Sequence, residues 1–156
     1  MRIELLALGT RMPAWVDAAV EDYARRLGAD VRFELRELPL VRRTASSNGA
    51  RIAAAEGTRL LAAIRKDAFV VALAVAGKMP STEQLAEWLQ LRMREGRDLS
   101  FLIGGPDGLA PECLQRSDLL WSLSALTLPH TLARILVVEQ LYRALSVIRG
   151  HPYHRG

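Results

Sequence analysis

Cysteine is almost absent from this chain of 156 residues, with Cys113 as its single occurrence. One cysteine cannot form an intrachain disulfide, and it provides no thiolate cluster for a metal. Together with His151 and His154 it does not make the four-ligand pattern of a zinc site. We therefore expect no metal, and the lack of disulfides favours a cytoplasmic protein.

Long hydrophobic runs are also missing, and no stretch approaches the length of a transmembrane helix. The first residues, MRIELLALGTRMP, carry Arg2 and Glu4 and lack a long apolar core, so they predict a strand rather than a signal peptide. There is no repeat of fixed period and no low-complexity run. With 50% hydrophobic and 24% charged residues, the composition predicts a single globular domain over residues 1–156, without a membrane segment.

The common nucleotide and hydrolase motifs are absent as well. Gly77 and Lys78 are followed by Met79, which breaks the phosphate-loop pattern GxxxxGK[ST]. The first strand leads into LGTRMP rather than GxGxxG, and no GxSxG segment occurs. These absences argue against a phosphate-loop enzyme, an ordinary dinucleotide-binding enzyme and a serine hydrolase of the elbow type.

Positive charge exceeds negative charge, with 21 Lys and Arg against 17 Asp and Glu, a net charge of +4. Nearly all of it is arginine, which suits bidentate phosphate contacts, so a nucleic-acid partner is permitted. The basic, serine-rich segment VRRTASSNG, residues 41–49, fits a mobile surface loop or a phosphate-contacting flap built on Arg42 and Arg43.

Apolar spacing predicts strands that alternate with helices along the chain. Strands are predicted over residues 1–8, 31–38, 68–75, 99–103 and 121–126. Four helices are predicted over residues 15–27, 50–64, 81–95 with Ser81 as the N-cap, and 131–150. A further, short helix is predicted just before the last strand. A capping box of Ser81 and Gln84 supports the third helix. The pattern predicts an α/β fold with a parallel sheet of about five strands and helices on both faces.

Three predicted strands end in unusual loops: AGKMP after Val75, GGPDGL after Ile103, and TLPH after Leu126. In an open parallel sheet, ligands bind beyond the carboxyl ends of the strands, so these loops should meet at one edge. The glycines permit close approach to a ligand, although a tight turn alone would also use them.

Two features of the C-terminal part also permit a structural or a functional interpretation. His130 begins the last helix and can act as a cap or packing residue, or in catalysis. Glu139 and Arg143 lie four residues apart, as in a surface ion pair. The chain ends with HPYHRG, residues 151–156, which would fray unless other contacts held it.

Four segments together resemble a known family: FLIGGPDGL, WSLSALTLPH, VEQLYRA and HPYHR. Across the whole chain, the sequence is similar to the ribosomal RNA large-subunit methyltransferase H family of the SPOUT class. The resemblance implies a C-terminal trefoil knot, which periodicity does not indicate and which is rare among folds. It also implies a homodimer, S-adenosylmethionine as methyl donor, and methylation of N3 of a pseudouridine in large-subunit rRNA on the assembled ribosome.

The resemblance also implies which residues form the site. The cofactor-binding residues are Leu73, Gly104, Gly105, Leu123, Ser124, Ala125, Leu126, Thr127 and Leu128. The catalytic set is His130, Glu139, Arg143, Tyr153, His154 and Arg155. Within that set, His130 or Glu139 would be the base, Arg143, Arg155 and His154 would stabilise negative charge, and Tyr153 would contact the RNA base.

We expect the dimer to combine one subunit's pocket with its partner's arginines, and the tail to order fully only with cofactor or substrate. Two other functions fit the sequence less completely. They are a non-catalytic RNA-binding or ribosome-assembly module, and a SPOUT methyltransferase that acts on tRNA.

Overall fold

The computed structural model describes residues 1–155, so Gly156 of the predicted tail segment lies outside the described residues. Strands and helices alternate as predicted. The strands are β1 (Arg2–Leu8), β2 (Arg32–Leu38), β3 (Phe69–Lys78), β4 (Leu99–Ile103) and β5 (Leu119–Trp121). The helices are α1 (Ala14–Arg26), α2 (Gly49–Ala63), α3 (Thr82–Glu95), α4 (Pro111–Arg116) and α5 (His130–Ile148), and a tail 3₁₀ helix (Pro152–Arg155) follows.

All five strands belong to one parallel sheet with the order β2-β1-β4-β3-β5. The alternating pattern of β2 is typical of an edge strand, and β2 lies at one edge. Because the strands are parallel, their carboxyl ends share one side of the sheet. The predicted α/β class is therefore confirmed, whereas the knot stays a prediction.

Side chains of the central strands alternate between two apolar cores, one on each face of the sheet. Ile3 and Leu5 of β1 belong to the larger core, into which α1, α3 and α5 pack. Leu6 and Leu8 point the other way, toward Leu60 of α2 and Cys113 of α4. Helices thus cover both faces of the sheet, as the buried strands require. Within residues 1–155, no helix is long and apolar enough to cross a membrane.

Helix ends follow the local signals in the sequence. Ser81 accepts a hydrogen bond from the backbone N–H of Gln84, whose side chain accepts one from the N–H of Ser81, so the predicted capping box is confirmed. Gly96 then ends α3 in a left-handed conformation with φ of 70°. Such a conformation favours glycine, because it has no Cβ.

The buried arginine Arg134 fixes where α5 starts. Its guanidinium donates to the carbonyl oxygens of Leu8, at 3.0 Å, and Gly9, at 2.7 Å, and also to the Glu37 carboxylate. A buried charge is tolerated only when it is paired and hydrogen-bonded, and these contacts meet that condition. The first turns of α5 are therefore held against the carboxyl ends of β1 and β2.

Cys113 is predicted to resist alkylation in the native protein. Its side chain is fully buried, its thiol donates to the Gly57 carbonyl at 3.6 Å, and burial, followed by the charge of Glu112, raises its pKa. Because the thiolate is the reactive form, iodoacetamide at pH 8 should label the folded protein roughly 100-fold more slowly than the urea-unfolded chain. Mass spectrometry over time measures both rates, and equal rates would show that Cys113 is accessible.

Candidate functional site

A pocket of about 310 Å³ lies at the carboxyl side of the sheet, between residues 73–75 of β3 and the loops after β4 and β5. Two of the three predicted loops, GGPDGL and TLPH, thus converge here, whereas AGKMP, residues 76–80, does not line the pocket, because β3 continues to Lys78. The pocket is lined by Leu73, Ala74, Val75, Ile103, Gly104, Gly105, Pro106, Gly108, Leu109, Trp121, Ser122, Leu123, Ser124, Leu126, Leu128, Pro129, His130 and Ala133. Apolar side chains and backbone make up most of its walls.

The first wall comes from an irregularity in β3. Pairing between β3 and β5 is regular as far as Leu73 and resumes only at Lys78, so the strand extends beyond the predicted end at residue 75 with a bulge. Gly77 makes this possible, because a Cβ there would lie 2.7 Å from backbone atoms of Leu120 and Trp121. The bulge directs Leu73 and its neighbours toward the pocket.

The second wall is the glycine loop, residues 104–108, which follows β4. Gly108 N donates to Gly105 O at 2.9 Å and closes a tight turn. A Cβ on Gly104 would lie 2.6 Å from the carbonyl carbon of Gly108, so only glycine fits there. The wall consequently presents backbone rather than side chains to a ligand.

The third wall corrects one prediction, because β5 ends at Trp121 and residues 122–126 form a loop rather than a strand. β3 itself ends at Lys78, which pairs with Trp121, and after the bond from Ser122 N to Lys78 O at 2.8 Å no residue of β3 remains for this segment to pair with. Ser122 and Ser124 supply local hydrogen bonds instead: Ser122 Oγ donates to Ser124 O at 2.9 Å, and Leu126 N donates to Ser124 Oγ at 3.0 Å.

Seven of the nine predicted cofactor-binding residues line the pocket, whereas Ala125 and Thr127 do not. Both lie exposed in the third wall, between residues that do line it. His130, from the predicted catalytic set, also borders the pocket. Burial, followed by the charge of Arg134, lowers the pKa of His130, which favours the neutral imidazole.

Three other predicted catalytic residues form a second group, with Glu139 and Arg143 on the later turns of α5 and Tyr153 in the tail 3₁₀ helix. Glu139 Oε1 accepts from Arg143 Nε at 2.8 Å and from the Tyr153 hydroxyl at 3.2 Å. The Arg143 guanidinium carbon lies 4.7 Å from the centre of the Tyr153 ring, and Tyr142 packs on the same ring. Burial, followed by contacts with Tyr23 and Glu139, raises the pKa of Tyr153, so its phenol stays a hydrogen-bond donor at neutral pH.

The tail 3₁₀ helix also holds the last two residues of the predicted catalytic set, His154 and Arg155. His154 Nδ1 lies 2.6 Å from the carbonyl oxygen of His151, and the side chain of Arg155 is exposed. None of Glu139, Arg143, Tyr153, His154 and Arg155 lines the pocket of its own chain. From His130 to Glu139 the rise of an α-helix amounts to about 13 Å. Within residues 1–155 the structure therefore separates the predicted catalytic set into two groups.

The basic flap, residues 41–49, lies beside the glycine loop. Arg43 is engaged by the carboxylates of Glu56 and Asp107, whereas the side chain of Arg42 is exposed. Glu56, a fully buried acid on α2, was not singled out in the sequence, because nothing local distinguishes it from a surface glutamate. Within residues 1–155, no three His, Cys, Asp or Glu side chains are grouped so as to hold a metal ion.

Comparison with known proteins identifies relatives over the full chain. A family model described as "Predicted SPOUT methyltransferase" matches residues 1–154. Two curated relatives carry the name "Ribosomal RNA large subunit methyltransferase H". The one from Thioalkalivibrio sulfidiphilus is 54% identical over 99% of both chains, and the one from Alkalilimnicola ehrlichii is 50% identical over 100% of both.

One solved structure shares the fold at low sequence similarity. It is described as a "putative methyltransferase" from Legionella pneumophila "in complex with the bound cofactor SAM". The match has a TM-score of 0.52 at 12% identity, and it covers 92% of this chain and 66% of that one.

Proposed function

The chain belongs to the SPOUT methyltransferase family, and from that membership we propose that it methylates N3 of a pseudouridine in large-subunit ribosomal RNA, with S-adenosylmethionine as methyl donor. The observation that carries the proposal is the pocket itself. The end of β3 and the loops after β4 and β5 form it with apolar side chains and bare backbone, and these two loops belong to the segments that resemble the family. The protein would act in the cytoplasm, because ribosomes are found there.

The pocket fits S-adenosylmethionine in size and chemistry. Its volume of about 310 Å³ lies in the range of small-molecule sites. Leu73, Leu123 and Leu126 provide apolar walls for an adenine ring, and the backbone of the glycine loop provides hydrogen-bonding groups for its polar edge. The cofactor has no phosphate, which accounts for the missing phosphate-binding motifs. When bound, it supplies a methyl group on a positively charged sulfur, a strong electrophile.

The chain's own residues have to prepare the acceptor nitrogen. N3 of the base carries a proton, and as this proton leaves, negative charge develops on the adjacent carbonyl oxygens. Neutral His130 borders the pocket and can accept the proton. Glu139 is the other possible base, although Arg143 and Tyr153 already hydrogen-bond to it. The exposed Arg155, with His154 and Arg143, would stabilise the developing charge.

The pH profile tests the role of His130. A histidine must be neutral to act as a base, and the pKa of His130 lies below the ordinary histidine value of about 6.5. We therefore expect kcat/KM to stay constant from pH 8 down to about 6.5 and to fall only below it. His130→Gln should lower the rate and remove this acidic limb. An unchanged limb in the variant would assign the proton to another group.

A homodimer would bring the two groups of catalytic residues together. Within one chain, the tail packs on later turns of α5 and does not reach the pocket. Large apolar side chains are exposed around the pocket, including Leu126 at 74% and Val75 at 72%, together with Leu132 on α5. Exposed apolar groups of this size are typical of protein interfaces. A two-fold partner that covers them would place its own tail near the pocket.

Mass spectrometry of rRNA and tRNA from a deletion strain, with and without the restored gene, tests the proposed reaction. Loss of one methyl group from a large-subunit pseudouridine, and its return on complementation, is the expected result. A missing methyl group in tRNA would instead identify a tRNA enzyme. Calorimetry with the purified protein adds a second test, since an RNA-binding module without a cofactor would give no heat with S-adenosylmethionine.

A further inference from the structure

An ion-pair network joins the basic flap to the wall of the pocket. The Glu56 carboxylate is fully buried and accepts from the backbone N–H of Val41 at 2.9 Å, and from Arg43 Nη1 at 3.0 Å and Nη2 at 3.3 Å. The same guanidinium donates to Asp107 Oδ2 from Nε at 3.0 Å and from Nη2 at 2.6 Å. Arg43 therefore bridges α2 and the glycine loop, with the flap between them.

The glycine loop packs directly on this network. A Cβ on Gly105 would lie 3.1 Å from Glu56 Oε2 and 3.6 Å from Arg43 Nη2, so the missing side chain lets the loop backbone lie against the ion pair. At the other end of the flap, a Cβ on Gly49 would lie 3.2 Å from Asp107 Oδ1. Both ends of the flap therefore contact the loop whose Gly104 and Gly105 line the pocket.

Glu56 itself is fixed by the core. The next residue, Gly57, lies so close to the segment after the glycine loop that a Cβ would be 2.6 Å from the Cβ of Ala110. This packing holds α2 against that segment and gives the carboxylate a rigid base. Since an unpaired buried carboxylate is costly, the network favours the arrangement in which Arg43 and the flap are engaged.

We propose that Glu56 is a positioning residue for the cofactor pocket: through Arg43 and Asp107 it holds the flap and the glycine loop together as one unit. The inference rests on the proposed function, because it takes S-adenosylmethionine as the pocket's ligand. It assigns Arg43 to the network, while Arg42 on the same flap remains exposed to solvent. A prearranged wall lowers the cost of ordering the loop when the cofactor binds.

Cofactor affinity separates a positioning role from a general effect on stability. Glu4 is the matched control, because this acid is equally buried and pairs with Arg65 at 2.6 Å, but lies near the amino end of β1, away from the pocket. Glu56→Gln and Glu4→Gln should both lower the melting temperature. Only Glu56→Gln should weaken binding of S-adenosylmethionine in calorimetry, by about tenfold or more.

Two milder variants keep the test decisive if Glu56→Gln does not fold. Asp107→Ala removes a partly exposed carboxylate, and Arg43→Lys keeps a cation beside Glu56 but loses the planar fork that bridges the two carboxylates. Each should raise the Kd for S-adenosylmethionine. The Kd of the double variant should be no higher than that of the single variant with the higher Kd, because both changes break one network. Hydrogen exchange should increase together in residues 41–49 and 104–108 of these variants, and in neither segment of Glu4→Gln.

Unchanged cofactor affinity in Glu56→Gln, or in both milder variants, would overturn the inference and leave the network a structural feature. Additive effects on Kd would do the same, because they would mean that the two residues act separately. If the unmodified protein itself gave no heat with S-adenosylmethionine, the proposed function would fail instead. The two failures are therefore distinguishable.

Discussion

A 1:1 mixture of His130→Ala and Arg155→Ala, allowed to exchange subunits, should recover about a quarter of the wild-type turnover. In a site that combines one subunit's pocket with its partner's tail, a heterodimer of these variants places both lesions in one site. Its other site then has an intact pocket and an intact tail. Random exchange makes half of the molecules heterodimers, each with one working site of two, which gives the expected fraction.

Each variant alone should be nearly inactive, for a different reason. His130→Ala removes the group that accepts the proton at the pocket, and loss of a general base lowers rates by roughly 100-fold or more. Arg155→Ala removes a cation near the developing charge, with a loss of similar size. Because the proposed role of Arg155 is to stabilise charge that develops on the RNA base, this variant should bind S-adenosylmethionine within about twofold of wild type.

The double variant His130→Ala/Arg155→Ala provides the control. Mixed 1:1 with wild type, it should reduce turnover to about a quarter, because each heterodimer carries one lesion in either site. If pocket and tail of the same chain worked together, the mixture would retain about a half, and the two single variants would not complement each other. Unchanged turnover of Arg155→Ala on ribosomes would remove the tail from the mechanism altogether.

Gly104→Ala is expected to lower kcat/KM for S-adenosylmethionine by roughly 100-fold, the cost of moving a positioning element by about 1 Å. The new Cβ would lie 2.6 Å from the carbonyl carbon of Gly108 and 2.8 Å from its oxygen. These are backbone atoms of a tight turn, so the glycine loop itself has to move. Calorimetry should show the corresponding loss of cofactor binding.

Gly96→Ala is the matched control for Gly104→Ala. Gly96 has a left-handed φ of 70° and no heavy atom within 4 Å of an added Cβ, and it lies at the end of α3. Its substitution should cost about 1 kcal/mol of stability, because the left-handed conformation disfavours alanine, and leave cofactor affinity unchanged. Wild-type affinity in Gly104→Ala would mean that the glycine loop does not form the cofactor wall.

Local sequence predicted the features that depend on neighbouring residues. Periodicity predicted α1, α2, α3, α5 and four of the five strands to within a few residues, and the capping box at Ser81 followed from two residues three positions apart, whereas the tail 3₁₀ helix was not predicted. Because parallel strands place their carboxyl ends on one side of the sheet, the convergence of the loops after β4 and β5 also followed from the sequence, although the third predicted loop does not line the pocket. The residue at which β5 ends could not be predicted from the sequence, because a strand continues only where another strand pairs with it.

The candidate site depended more on contacts between distant parts of the chain. Residues 73, 104–105 and 123–128 were assigned to the pocket from the family resemblance, and most of them line it. By contrast, the tertiary structure alone placed His130 apart from Glu139 and Tyr153, and it alone joined Glu56 to Asp107 through Arg43. Helical spacing and strand alternation are properties of short segments, so sequence determines them. Which charges meet in the folded chain depends on how those segments pack.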